Sequence, residues 1–146
     1  EHPALTEGLD AGPVVKLRRW LVVPADHRSA RSDRPRLPML SDLTFAAPPR
    51  AGNPASFDAV QDLLRERGLD VDTTPAVDDR AVLAAVAAGT HFGVSTSPPG
   101  AVPGVAWLDW APSALALRVR IVRRADADVG VHVDALDRVL FKERVR

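Results

Sequence analysis

The sequence predicts an α/β fold with a parallel central sheet, and two observations carry that prediction. Thr44–Gly68, TFAAPPRAGNPASFDAVQDLLRERG, places a strand-length apolar run, a Pro- and Gly-rich turn and a helical pattern in immediate succession. The same order then returns: Val71–Val77 has strand character, Val82, Leu83 and Val86 fall at helical spacing before Gly89, and His91–Ser95 is a third strand. Strand, helix, strand, helix, strand at these lengths is the pattern of parallel strands joined by right-handed crossovers.

Residues 1–13 are polar, contain Gly and Pro and have no period, which predicts a linker or tail. Val14–Pro24 is β-branched and aromatic enough for a strand, interrupted around Lys16–Arg19. The Arg-rich stretch Ala25–Pro38 lacks an apolar face and predicts a surface loop, and Met39–Leu43 a single helical turn. In the helix of the central unit Asn53 suits the N-cap, Pro54 the first helical position, where its missing N–H costs nothing, and Gly68 the left-handed position past the end. Phe57, Val60, Leu63 and Leu64 share one face of it, with Asp62, Arg65 and Arg67 off that face. Burying four such side chains contributes about 1.5–3 kcal/mol each. Asp78 or Asp79 caps the next helix. Gly104–Trp110 and Leu115–Arg123 predict two further strands, the second alternating Leu117, Val119 and Ile121 with Arg118 and Arg120, as a strand with one wet face does. Val131–Val145 predicts a closing amphipathic helix with Leu136, Val139, Leu140 and Phe141 inward.

The chain has 146 residues, enough for one domain with a real core or for one lobe with an appendage from a second. Lys+Arg and Asp+Glu are both 19, so no net charge advertises a polyanion as the main partner. Clusters such as Arg28, Arg31, Arg34 and Arg36 are expected to be solvated faces. The absence of cysteine excludes disulfides, thiolate metal sites and a cysteine nucleophile, and it fits a reducing cytoplasm. The longest apolar run, Ala81–Ala88, is far below the ~18 residues of a membrane span, so the expectation is a soluble, cytoplasmic protein. A first residue of Glu1 rather than Met suggests a processed or excised piece of something longer.

In an open parallel sheet ligands sit beyond the carboxyl ends of the strands, where loops and helix N-termini converge. Three segments are expected there: Pro49–Asn53, Asp78–Arg80 and Ser95–Gly100. The first, with Pro49, Arg50, Gly52 and Asn53, leads into a helix N-terminus and is the best anion-facing element of the chain. Asp78 lies in the second, and Ser95, Thr96 and Ser97 add three hydroxyls in the third. A small carboxylate is the natural ligand for such a set. Each residue also has a plainer role: Arg50 as an ion-pair partner of Asp78 or Asp79, Asn53 as a helix cap, Ser95–Ser97 as a turn before Pro98 and Pro99. His27, His91 and His132 are kept apart by the strand order, so no metal is assigned, and no cofactor is implied. Trp20, Trp107 and Trp110 are most simply packing residues. The sequence contains no nucleophile elbow, Walker loop, HExxH helix or GxGxxG turn, and Asp78 and Asp79 diverge on a strand-to-helix turn, so no enzyme is expected.

Taken together, Leu21–Ala30 (LVVPADHRSA), Leu40–Phe45 (LSDLTF), Asp78–Val94 (DDRAVLAAVAAGTHFGV) and Leu117–Arg124 ahead of a terminal helix resemble, in order and spacing, the effector-binding domain of LysR-type transcriptional regulators. Thr90, His91 and Phe92 stand where that family more commonly has small and apolar residues. The resemblance implies a periplasmic-binding-protein-like (type II) fold of two Rossmann-like lobes with an effector in the cleft between them. Residues 14–116 would be the second lobe, and 117–146 a strand and helix returning to an incomplete first lobe. It implies a small-molecule effector, a homo-oligomer, and DNA binding only through a helix-turn-helix domain that is not among these residues. The alternatives are a solute-binding protein of a transporter, and an oligomerisation module that pairs through the exposed face of the Pro54–Arg67 helix.

Overall fold

A computed structural model describes residues 9–108, 115–124 and 130–142. Trp110, the last residues of the expected terminal helix (143–145) and the side chain of His132 lie outside the described residues. The chain divides into two compact units, Arg19–Leu115 and the pair of end segments Glu1–Arg18 and Ala116–Arg146.

The Arg19–Leu115 unit is a five-stranded sheet with helices on both faces. Its strands are β3 (Trp20–Pro24), β4 (Thr44–Ala47), β5 (Thr73–Pro75), β6 (His91–Ser95) and β7 (Val105–Leu108), in the order β5-β4-β6-β3-β7. The expected parallel arrangement holds for β5, β4 and β6. The sheet as a whole is mixed, because β3 runs antiparallel to both β6 and β7. A crossover helix enforces parallel pairing only between the strands it joins. The two crossovers are α1 (Pro54–Glu66), between β4 and β5, and α2 (Asp79–Ala87), between β5 and β6; β3 reaches β4 through the loop at 25–43 instead.

Alternation along the strands separates two cores. Leu21, Val23, Phe45, Ala47 and Phe92 face one side, where they pack with Leu37, Leu40, Leu43, Leu64 and Leu69. Phe45 and Phe92 stand opposite each other in the β4–β6 register, their rings stacked with centroids 5.0 Å apart. Val22 and Ala46 face the other side, against Val82 and Val86 of α2 and Val105 of β7. Gly93 shares that second face, and a Cβ placed on it would lie 2.3 Å from Val82 Cγ1, so glycine is what lets α2 approach β6.

Helix ends follow the local chemistry. Asn53 Oδ1 accepts the Ser56 N–H at 3.1 Å and caps α1, with Pro54 as its first residue. At the other end Gly68 has φ +79, Gly68 N–H donates to Arg65 O and Leu69 N–H to Leu64 O, and Leu69 is buried, which is a Schellman closure. The buried face of α1 differs by one position from the expected one. Leu64 is buried with Phe57 and Val60 packed alongside, but Gln61 is buried while Leu63 is only half-buried.

In the other unit, β1 (Leu9–Ala11) pairs antiparallel with β9 (Val122–Arg124), and β2 (Val15–Leu17) with β8 (Leu117–Val119). Leu9–Ala11 is therefore a strand within the stretch expected to be a linker. Opposite charges face each other across β1 and β9, with Arg123 Nη2 at 3.2 Å from Asp10 Oδ2. The expected single strand Leu115–Arg123 is divided at Arg120 and Ile121, and Ile121 O accepts the Gly12 N–H. Helix α3 (Gly130–Lys142) forms as expected, but Leu136, Val139 and Phe141 are exposed, so the inward placement expected for them is not what the structure has.

Candidate functional site at the carboxyl ends of the parallel strands

All three expected loops follow the carboxyl ends of β4, β5 and β6. In the first, Arg50–Gly52 forms a 3-10 turn, with Gly52 N–H donating to Pro49 O and Asn53 N–H to Arg50 O. Those two N–H groups are used within the turn. Arg50 is paired with neither Asp78 nor Asp79: its Nε and Nη2 donate to the two carboxylate oxygens of Asp58, at 2.8 and 2.7 Å. The hydrogen bonds to Asp58 and its charge raise the Arg50 pKa, and Arg50 in turn lowers that of Asp58. Gly52 has open space where a Cβ would stand and does not have a positive φ, so the turn does not require glycine there.

In the second loop Asp78 is the N-cap of α2, its Oδ1 accepting the Ala81 N–H at 2.8 Å. The adjacent Asp79, in the same expected segment but not among the residues singled out for the site, organises the third loop. Asp79 Oδ2 accepts from Ser95 Oγ at 3.0 Å, Thr96 N–H at 2.9 Å, Thr96 Oγ1 at 2.8 Å, Ser97 N–H at 3.1 Å and Ser97 Oγ at 3.1 Å. Burial alone would raise the Asp79 pKa, but the bonds from Thr96, Ser95 and Ser97 outweigh it and hold the carboxyl below its ordinary value. Ser95, Thr96 and Ser97 are thus brought together as the sequence suggests, around a carboxylate supplied by the chain itself.

Arg19 is the second residue that sequence reasoning missed. Trp20 stands opposite Ser95 in the β3–β6 register, which places Arg19 next to the start of the third loop. Its guanidinium is half-buried, and Nε is enclosed without a hydrogen-bond partner. Burial lowers the Arg19 pKa, and the Asp79 charge partly restores it. No local signal in the sequence marks Arg19, because its position depends on an antiparallel pairing between residues some seventy positions apart.

A Ser-His-Asp arrangement lies elsewhere in this unit. Nδ1 of His27 is 2.7 Å from Ser29 Oγ and accepts the Ser29 N–H at 3.2 Å, so Nδ1 is unprotonated and Nε2 carries the hydrogen toward Asp42 Oδ1 at 3.2 Å. Ser29 has no exposed surface, so its hydroxyl cannot meet a substrate. Arg28 donates to Met39 O at 3.1 and 2.9 Å, and the cluster ties the Arg-rich loop to the 3-10 turn Leu37–Leu40. Among the described residues no His, Cys, Asp and Glu group could hold a metal ion, and no helix is long and apolar enough to cross a membrane.

The profile of the LysR substrate binding domain matches residues 1–140. No curated protein sequence matches the chain. Among solved structures, the regulatory domain of CcmR from Synechocystis PCC6803, in complex with 2-PG, is 20% identical with a TM-score of 0.68, over 97% of this chain and 69% of that one. CbnR, a LysR family transcriptional regulator, is 16% identical with a TM-score of 0.69, over 100% of this chain and 50% of that one. The effector binding domain of QuiR, in complex with shikimate, is 14% identical with a TM-score of 0.66, over 97% of this chain and 68% of that one. The chain thus spans about two thirds of the regulatory domains and half of CbnR.

Proposed function

The chain belongs to the family of LysR substrate binding domains, with a periplasmic-binding-protein-like fold, and we propose that it is the ligand-sensing portion of a LysR-type transcriptional regulator that binds a small carboxylate. The family is one of ligand-binding regulatory domains and not of enzymes. One observation supports the carboxylate assignment: two main-chain N–H groups and three hydroxyls of Ser95, Thr96 and Ser97 converge on one oxygen of the chain's own Asp79 carboxylate, so the loop is built to hold that chemical group. The ends of β4, β5 and β6 would then form one wall of an interlobe effector cleft, with Pro49, Arg50, Gly52, Asn53 and Asp78 beside the Ser95–Ser97 loop. The ligands in the CcmR and QuiR structures, 2-PG and shikimate, support a small-molecule effector. Residues 14–116 were expected to be the second lobe; because Val15–Leu17 pairs with Leu117–Val119, we assign the second lobe to the Arg19–Leu115 unit and the return to the first lobe to the end segments. The protein would act in the cytoplasm as a homo-oligomer, reaching DNA through a separate helix-turn-helix domain.

A broad carboxylate panel screened by thermal shift against the complete regulator tests the assignment. A saturable rise in the melting midpoint with one or a few related acids is expected. A flat response across the panel would overturn it.

A further inference from the structure

The donors at the end of β6 are arranged as a seat for an oxyanion. Consecutive N–H groups of Thr96 and Ser97 point at one position, three hydroxyls converge on it, and Ser97 N–H also lies 3.0 Å from Ser95 Oγ. Half-buried Arg19 adds positive charge beside it. The position is filled by Asp79 Oδ2, which already has five donors within 3.1 Å. A carboxylate offers about four lone-pair sites over two oxygens, so one oxygen with five donors is saturated, and those donors have no capacity for a second anion while Asp79 holds them. Nor is Asp79 needed to cap α2, since Asp78 does that through Ala81 N–H. Two adjacent carboxylates therefore serve different ends: Asp78 closes the helix, and Asp79 reaches across to the loop.

We propose that Asp79 is a resident occupant of this anion seat, and that an effector carboxylate engages Ser95, Thr96 and Ser97 only by exchanging with the Asp79 carboxylate. The proposal rests on the effector assignment above and adds a mode of regulation. Exchange releases the N-terminus of α2 from the loop after β6, so occupancy of the site changes how those two elements are tied. It also sets a selectivity. An effector gains at this loop only what its carboxylate provides beyond that of Asp79, and removing Asp79 makes the seat available to simple anions.

Chemical rescue tests this in the full chain. Asp79→Ala is expected to lower the melting midpoint, and sodium formate is expected to restore part of it saturably. Wild type is expected to respond to formate no more than to sodium chloride at equal ionic strength. The half-saturating formate concentration for the variant should be at least about tenfold below any found for wild type. Asp79→Ser, which keeps a small polar residue at the start of the helix, serves if the alanine variant does not fold. In either variant the Thr96 and Ser97 amide resonances should shift with formate. Equal responses in wild type and variant, or a variant response no greater than with chloride, would overturn the exchange. If formate rescues while the carboxylate panel gives no hit, the seat stands and the effector assignment falls; a hit without rescue gives the reverse.

Discussion

Trp20 stands opposite Ser95 where β3 pairs antiparallel with β6, and this pairing brings Arg19 to the loop that surrounds the Asp79 carboxylate. Burial acts on the Arg19 guanidinium more strongly than the Asp79 charge does, and its Nε makes no hydrogen bond. Replacing such a half-buried cation by an apolar side chain of similar length removes a desolvation cost and keeps the packing of the stem. Arg19→Met is therefore expected to leave the thermal midpoint unchanged or raise it. A clear fall in calorimetry would show that the charge is required for folding.

Gly93 lies where α2 crosses β6, and an added Cβ would stand 2.3 Å from Val82 Cγ1. Val82 is itself buried, so it cannot swing into solvent to make room. Gly93→Ala is expected to destabilise by about 1–3 kcal/mol, the usual cost of overpacking a core. Adding Val82→Ala should recover part of that loss, because it removes the methyl group in the way. Urea denaturation of the two single variants and the double variant measures the coupling. Additive losses would show that the contact does not govern the approach of the helix.

What could be read from the sequence was mainly what adjacent residues decide. Asn53, Pro54 and Gly68 mark the ends of α1, Asp78 and Gly89 those of α2, and the order of strands and helices implied the parallel pairing of β4, β5 and β6. Reversal of β3 could not be read, because no crossover helix constrains it and its apolar run suits either direction. The site divides in the same way. Ser95, Thr96 and Ser97 are visible as hydroxyls at a strand end, whereas the ion-pair alternative for Arg50 names Asp78 or Asp79 and misses Asp58, which reaches it only once the 3-10 turn folds back on α1. Leu136 and Val139 show the converse limit: helical period identifies an apolar face, but not whether anything covers it.

His27 joins Ser29 to Asp42 in its Nε2–H form, and Ser29 is fully buried. His27→Phe keeps an aromatic ring but removes the acceptor for the Ser29 N–H and the donor to Asp42. A buried group left without its partner costs about 1–3 kcal/mol. The variant is expected to lose stability in that range, and hydrogen exchange should show faster exchange around Ser29 than in β6. Uniform loss of protection over the whole unit would argue against a local tie between the Arg-rich loop and the 3-10 turn.

Asp79 gives stability a defined acid dependence. Its folded pKa is lowered below the ordinary value of 3.8, so the unfolded chain binds the proton more readily than the folded one does. The stabilisation is fully present above that ordinary value and is lost as pH falls from there through the lower folded value. Asp79→Asn removes the titrating group. Its midpoint is therefore expected to lie below that of wild type at neutral pH and to approach it as the pH is lowered beneath about 4. Parallel melting curves of the two proteins across that interval decide the matter. A difference that stays constant down to the lowest pH would mean that the five donors on Oδ2 hold the loop without drawing on the charge of the carboxylate.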